Sequence, residues 1–235
     1  MADLNPQAII DVCDALIALM VVTFWIALVR GRRDGASAFE IAVVLLAALG
    51  WGALWAWHPT FAAMRLAPPP QGQVAAILTL VLGLPSLLVF SSVRKLFLSL
   101  DPITITALGP WRIVFGSILL LLGLAGGLPP GFFVSAAIGD ILTGVWAISI
   151  LSRRAGATVG EHTLWNLFGL ADLLHVLALA VIHLRPFLLA HPELPPLNLL
   201  PLVGVPLFIA LHVMNLWAIA RRRTIRSAPT ASNPT

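Results

Sequence analysis

Six polar or ionisable side chains lie within long apolar runs, and they are the residues of this chain best suited to chemistry. They are Asp140, Asn166, Asp172, His175, His212 and Asn215. An ionisable group at the centre of a lipid bilayer costs about 2.5–3.5 kcal/mol on insertion scales, so it needs a partner, a wet cavity or a function. These six residues therefore form the candidate site for a small solute or ion.

The spacing of two of these groups, together with His183, predicts a shared helix face. With about 100° per residue, Asp172 and His175 are neighbours, and His183 returns to within about 20° of Asp172. His212 and Asn215 repeat the three-residue spacing. A stripe of carboxylate and imidazole can relay protons or coordinate a cation, because imidazole both donates and accepts near neutral pH. The alternative is that these groups hydrogen-bond across helices and only fix the packing.

The elements that position these residues are predicted to be membrane helices. Of 235 residues, 59% are hydrophobic and 10% are charged, whereas a soluble domain is about a quarter charged and just under half apolar. Apolar runs of membrane-crossing length predict an all-α polytopic bundle of seven helices. The predicted helices span residues 8–29, 37–58, 74–93, 108–128, 132–151, 163–184 and 199–220. Residues 1–226 then form a single transmembrane domain, and residues 227–235 form a disordered cytoplasmic tail.

The basic residues predict the orientation of this bundle. All but two of the 14 Lys and Arg residues fall on alternate connections, and the opposite connections hold only Arg65 and Arg185. The positive-inside rule then places the amino terminus outside and the carboxyl terminus in the cytoplasm. Because the arginines flank apolar segments rather than forming a basic face, a nucleic-acid partner is not expected.

When the chain is aligned with itself at a shift of 121 residues, two distant motifs each fall on a second copy. The pattern W-x6-RR-x-GA-x3-E occurs at residues 25–40 and again at 146–161, and the G-x-P of residues 83–85 falls on that of 204–206. One reading is a duplication in a three-one-three arrangement, which resembles in topology the SWEET sugar carriers and the microbial rhodopsins. Such repeats often place a substrate site near the midplane. The other reading is coincidence, because many helices that leave the membrane inward end in arginines.

Two features limit this topological resemblance. The Pro-Gln dipeptide of PQ-loop carriers occurs at Pro6-Gln7 and Pro70-Gln71, both outside the predicted helices, and the only lysine is Lys95, at the end of the third predicted helix. Retinal attachment needs a lysine in the last helix, so a covalently pigmented rhodopsin is excluded.

A second resemblance covers residues 111–223. It rests on Arg112, Leu128-Pro129-Pro130-Gly131-Phe132, Gly139-Asp140, Trp165-Asn166, Gly169, Asp172-Leu173, Pro206 and Leu211-His212. These motifs resemble those of small bacterial integral membrane proteins that carry no assigned activity. The resemblance implies a multi-pass protein of the bacterial inner membrane and supplies no functional residue.

No cofactor is predicted from the motifs. His175 and His212 differ in depth by about 4–5 Å, so haem ligation by both is geometrically conceivable. However, the chain has no C-x-x-C-H motif and lacks the paired histidines of cytochrome b helices. Metal and hydrolase signatures such as H-E-x-x-H and G-x-S-x-G are absent too, so no enzyme class is indicated.

Arg112 is interpreted as a snorkelling residue near the cytoplasmic end of its helix, with pairing to Asp101 or Glu161 as the alternative. The leading functional hypothesis is a membrane protein that binds or translocates a small solute or ion, with proton coupling through Asp140 and the group Asp172, His175 and His212. The alternatives are a non-catalytic subunit or scaffold, assembled as a homo-oligomer or within a larger membrane complex, and a carrier of haem or pigment.

Overall fold

The computed structural model describes residues 5–31, 101–153, 157–191, 194, 200 and 204–227, and every regular element among them is helical. The elements are α1 (Pro6–Gly31), α2 (Pro102–Thr106), α3 (Trp111–Leu124), α4 (Pro130–Ser152), α5 (Val159–Leu179), a π-helical turn (Ala180–Leu184), α6 (Arg185–Ala190) and α7 (Val205–Ser227). The all-α class is confirmed. The predicted helices at 37–58 and 74–93 lie outside the described residues, so the count of seven stays a prediction.

Four helical stretches in the described part of the chain are long and apolar enough to cross a membrane. They are Pro6–Phe24, Pro102–Leu124, Pro130–Ser152 and Val159–Ala190. The apolar part of α7, Val205–Arg221, is shorter. The G-x-P of residues 204–206 lies at the start of α7, whereas the predicted helix at 199–220 contained it.

The predicted helix at 108–128 is observed as the shorter α3, and the short helix α2 precedes it, outside the predicted range. Asp101 caps α2 by accepting a hydrogen bond from the backbone N–H of Ile103 at 3.2 Å, and Pro102 occupies the first turn. After the turn at 107–110, α3 begins at Trp111. Beyond α3, Gly126 has a φ of 80°, a conformation that favours glycine and lets the chain turn back into α4.

The start of α5 is set by a capping box. The Thr158 hydroxyl accepts from the backbone N–H of Glu161 at 3.1 Å, and the Glu161 carboxylate accepts from the backbone N–H of Thr158 at 2.8 Å. The helix therefore begins four residues before the predicted start at 163. At the other end, Pro186 has no N–H to donate to the preceding turn, and the helix widens into the π-helical turn just before it.

Close helix contacts place α3, α4 and α5 side by side, and α7 packs on α5. A Cβ on Gly116 would lie 2.7 Å from the Ala137 carbonyl oxygen, so only glycine allows this approach of α3 to α4. Helix α1 packs on α3 through a buried stripe with heptad-like spacing, formed by Ile10, Cys13, Ile17, Met20 and Phe24. The core thus lies at the shared contact of these helices.

Candidate functional site

Arg112 lies at the centre of the described bundle. It is the second residue of α3, and its relative solvent exposure is 0%. Helices α4, α5 and α7 each provide an atom that contacts its guanidinium. An isolated buried charge is very costly in a low-dielectric interior, so these partners are needed to hold it there.

Two aspartates from neighbouring helices pair with this guanidinium. Arg112 Nε donates to Asp140 Oδ1 of α4 at 2.6 Å, and Nη2 donates to Asp172 Oδ2 of α5. Both carboxylates are largely shielded, with side-chain exposures of 12% and 8%. The guanidinium therefore bridges α4 and α5 from α3.

The remaining side of the guanidinium faces α5 and α7. Nη1 donates to the Gly169 carbonyl oxygen at 3.0 Å and lies 3.4 Å from His212 Nε2. Because arginine only donates, Nε2 must accept, and the ring proton of a neutral His212 is then on Nδ1. A Cβ on Gly169 would collide with the His212 ring, so glycine at this position lets the imidazole reach the arginine.

A second layer of hydrogen bonds holds His212. Its Nδ1 lies 3.0 Å from Asn166 Oδ1, which also accepts from Asn215 Nδ2 at 3.3 Å. Asn166 Nδ2 in turn donates to the His162 carbonyl oxygen at 2.6 Å. Among the described residues, the buried Oδ1 of Asn215 has no hydrogen-bond partner. The layer fixes the imidazole and leaves one acceptor of Asn215 unused.

Trp165 closes the site on one side. Its ring centroid lies 4.9 Å from that of His212, and its Nε1 donates to the Thr143 carbonyl oxygen of α4 at 3.0 Å. The Phe208 ring lies 5.8 Å from the Arg112 Cζ and covers another side of the guanidinium. Aromatic faces and apolar contacts thus exclude water from the arginine.

The polar stripe of Asp172, His175 and His183 packs on a ridge of small residues of α4, at positions 131, 135 and 139. A Cβ on Gly139 would overlap the Asp172 carboxylate, and one on Gly131 would lie 2.8 Å from His183 Nδ1. Between them, Ser135 Oγ lies 3.0 Å from His175 Nε2. The three polar residues thus share one face of the helix, as their spacing predicts.

The structure brings together five of the six predicted site residues. Asp140, Asp172 and His212 contact Arg112, while Asn166 and Asn215 support His212. His175 is exposed and pairs with Ser135, outside this group. The arrangement of Arg112 with Asp140, Asp172 and His212 is called the arginine cluster below.

The interpretation of Arg112 as a snorkelling residue is wrong, and so is its pairing with Asp101 or Glu161. Asp101 caps α2, while Glu161 belongs to the capping box and pairs with Arg153. The sequence does hold a signal for the buried position. Gly109 and Gly116 stand three residues before and four after Arg112, so within the predicted helix at 108–128 glycines share its face, which is typical of a close helix contact rather than a lipid-facing surface.

The charges of the arginine cluster do not balance among the described residues. One guanidinium meets two carboxylates, and His212 is neutral in the tautomer that the contacts require. With both aspartates ionised, the cluster has one surplus negative charge. A proton or a cation would neutralise this charge, so the cluster is suited to bind one of them.

A groove of about 480 Å³ reaches the arginine cluster at Asp172. Its polar lining residues are Ser135 and Asp172, and its apolar ones include Pro130, Val134 and Ile138. Asp172 is therefore shared between the buried cluster and the groove, whereas Asp140 does not line it.

Both nitrogens of His212 face protein groups, and Nε2 of His175 faces Ser135. Haem ligation by this pair would require His212 to give up its contact with Arg112 or Asn166. Among the described residues, no group of three or more His, Cys, Asp or Glu side chains has metal-site geometry.

Within the residues that the structure describes, the fold and the cluster define a helical protein with helices of membrane-crossing length around a buried arginine held by two aspartates. Residues 69–220 match the family described as "Domain of unknown function (DUF8737)", and the chain belongs to this family. No curated protein and no solved structure matches the chain significantly.

Proposed function

We propose that this chain is a multi-pass protein of the bacterial inner membrane that binds or translocates a small solute or ion, with proton coupling through the arginine cluster. The seven-helix bundle with its amino terminus outside is part of the proposal. Support comes from the four membrane-length helices and from the outer face of α4, where Leu142, Val145 and Ile148 are exposed. A contiguous exposed apolar face suits lipid better than water.

The observation that carries the proposal is the position of Arg112 between Asp140 and Asp172. A buried ion pair is weak support for stability, because apolar residues of similar volume often serve equally well. A cluster with two acids and one base can instead exist in two states, with and without one added positive charge. Intramembrane ionisable groups of this kind are typical of ion and proton pathways.

Binding and release of that charge would change how α4 and α5 are held. When an added proton or cation neutralises one carboxylate, that carboxylate holds the guanidinium less strongly, and the helix carrying it becomes freer to move. When the charge leaves, both aspartates pair with Arg112 again. The cluster thereby couples a titratable group to the packing of three helices, which is what a coupled transporter needs.

Reconstituted vesicles test this proposal. A potassium diffusion potential, negative inside, is imposed with valinomycin, and proton entry is followed with trapped pyranine. We expect proton entry above that of protein-free vesicles, its loss in Asp140→Asn and its retention in Asp11→Asn, since Asp11 is exposed on α1. Unchanged entry in Asp140→Asn would remove this carboxylate from the mechanism, and no entry with the unmodified protein would contradict proton coupling.

A second candidate function is a scaffold subunit without transport activity. The packing of the polar stripe on the small-residue ridge of α4 favours it, because such contacts also serve helix association. This alternative predicts a stable partner, either another copy or a different membrane protein, after purification in a mild detergent. Native mass spectrometry of that preparation would detect it, and the vesicle experiment would then show no proton entry.

A further inference from the structure

The groove beside Asp172 is open to the surface of the protein, and its size and lining suit a small organic molecule. Its volume of about 480 Å³ falls within the range of about 300–1,000 Å³ that is usual for ligand pockets. Its polar atoms are confined to Ser135 and Asp172, and Val134 and Ile138 line it with apolar surface. A ligand that fits this lining has one polar end and one apolar end.

The net charge of the arginine cluster determines which charge the polar end of the ligand must carry. Among the described residues, two carboxylates face one guanidinium, so the groove ends at a site with surplus negative charge. An anion would be repelled there, and a cation would complete the balance. Asp172 is the acid of the pair that lines the groove, so its carboxylate is the natural contact for this cation.

The hydrogen-bonding groups of the groove add a requirement for a donor. The Asp172 carboxylate only accepts. When the Ser135 hydroxyl donates to His175 Nε2 across their 3.0 Å contact, its oxygen remains an acceptor for the ligand. Two acceptors in the same groove suit an ammonium group, which has several N–H donors, better than a quaternary ammonium, which has none.

From these observations we infer that the groove between α4 and α5 binds a small primary amine, with its ammonium on Asp172 and Ser135 and its alkyl part on Val134 and Ile138. The inference rests on the proposed function, because the amine would be the solute whose positive charge the arginine cluster accepts. Gly139 is essential to this geometry, since any side chain there would displace the Asp172 carboxylate from its position.

Calorimetric titration of the detergent-solubilised full chain tests the inference with n-butylamine, 1-butanol, sodium butyrate and sodium chloride as probes. We expect saturable binding of butylamine, at least about tenfold stronger than that of butanol, because a charge-assisted hydrogen bond distinguishes the two. Butyrate should not bind. Equal binding of butylamine and butanol, or competition by sodium at the same concentrations as butylamine, would overturn the assignment to an amine.

Three variants locate the site. Asp172→Asn should weaken butylamine binding at least about tenfold and leaves Arg112 paired with Asp140, so the buried charges remain balanced. Ile138→Trp should abolish binding by filling the groove without changing any charge. The control Asp11→Asn should bind as the unmodified chain does. Retained binding in both Asp172→Asn and Ile138→Trp would refute the groove as the site.

The outcomes separate this inference from the proposed function. Asp140-dependent proton entry into vesicles without butylamine binding would leave the function standing and refute the amine. Butylamine binding that needs Asp172, without proton entry, would leave the amine site standing and refute proton coupling.

Discussion

Arg112 Nε donates to Asp140 Oδ1 at 2.6 Å, and this ion pair joins the first turn of α3 to the middle of α4. The same guanidinium reaches Asp172 on α5 and lies close to His212 on α7. A single side chain thereby connects four helices in a region with little access to water. Its removal should affect all four, and this makes Arg112 the best place to test the architecture.

Replacing Arg112 with glutamine should lower the free energy of unfolding by about 3–5 kcal/mol, because two buried carboxylates lose their counter-charge. The triple variant Arg112→Gln, Asp140→Asn, Asp172→Asn should recover a large part of this loss, since it leaves no unpaired charge. Unfolding in mixed micelles of dodecyl maltoside and increasing SDS measures the free energy of unfolding of both variants.

The matched control for this series is Arg153→Gln. Arg153 also pairs with an acid, Glu161, but their side chains are 42% and 28% exposed. Exposed ion pairs contribute about 0–1 kcal/mol, so this variant should change stability by no more than that. Equal losses for the two arginine variants would contradict the buried position of Arg112.

Replacing Gly139 with alanine should destabilise the protein by about 1–3 kcal/mol, because the added Cβ would overlap the Asp172 carboxylate. Gly160→Ala is the control. There the nearest atom to an added Cβ is Thr158 Oγ1 at 3.7 Å, an ordinary contact, and alanine favours the helix. Thermal unfolding of the two variants in detergent should shift in opposite directions, and a harmless Gly139→Ala would count against the close approach of α4 and α5.

Replacing either of two asparagines near His212 with leucine should lower the free energy of unfolding by different amounts. Asn166→Leu removes the acceptor of both His212 Nδ1 and Asn215 Nδ2, so we expect a loss of about 1–3 kcal/mol for each buried donor left unpaired. Asn215→Leu removes one hydrogen bond of 3.3 Å together with an oxygen that has no partner among the described residues, so its cost should stay near or below about 1 kcal/mol. Denaturant titration would reveal the order, and the reverse order would disprove this arrangement of the layer.

The proposed orientation predicts which helix ends are accessible from outside the cell. With the single native cysteine replaced, as Cys13→Ser, a membrane-impermeant maleimide should label Leu124→Cys at the end of α3 and spare Ser152→Cys at the end of α4. Leu124 is 68% exposed and Ser152 is also exposed, so both should react once the cells are lysed. Labelling of Ser152→Cys alone in intact cells would invert the topology.

Apolar runs between prolines and arginines predict the presence of the described helices well, because an apolar helix needs little beyond its own composition. Their ends depend on individual side chains. The predicted start of α5 at 163 is late because the capping box of Thr158 and Glu161 begins the helix earlier. The T-x-x-E pattern that forms it is visible in the sequence, so this boundary was within reach of prediction.

The contacts of the arginine cluster are harder to predict than its residues. Helical spacing places Asp172 and His175 on one face, but it does not say which other helix that face meets. Arg112 and Asp172 are 60 residues apart, and Asn166 and His212 are 46 apart, so their pairing depends on how separate helices are arranged. The depth of Arg112 along its helix predicts an interfacial side chain. Depth alone does not say whether that side chain points toward the interface or into the bundle.

The order of the arginine cluster along the chain has a consequence for biosynthesis. Arg112 precedes Asp140 by 28 residues and Asp172 by 60. At about 5–20 residues per second, a ribosome needs about 3–12 s after making the arginine to supply its second carboxylate. For a chain destined for the bilayer, the nascent α3 must keep its guanidinium near the headgroups during that interval. Segments α3 to α5 are therefore expected to leave the translocon as a group rather than one at a time.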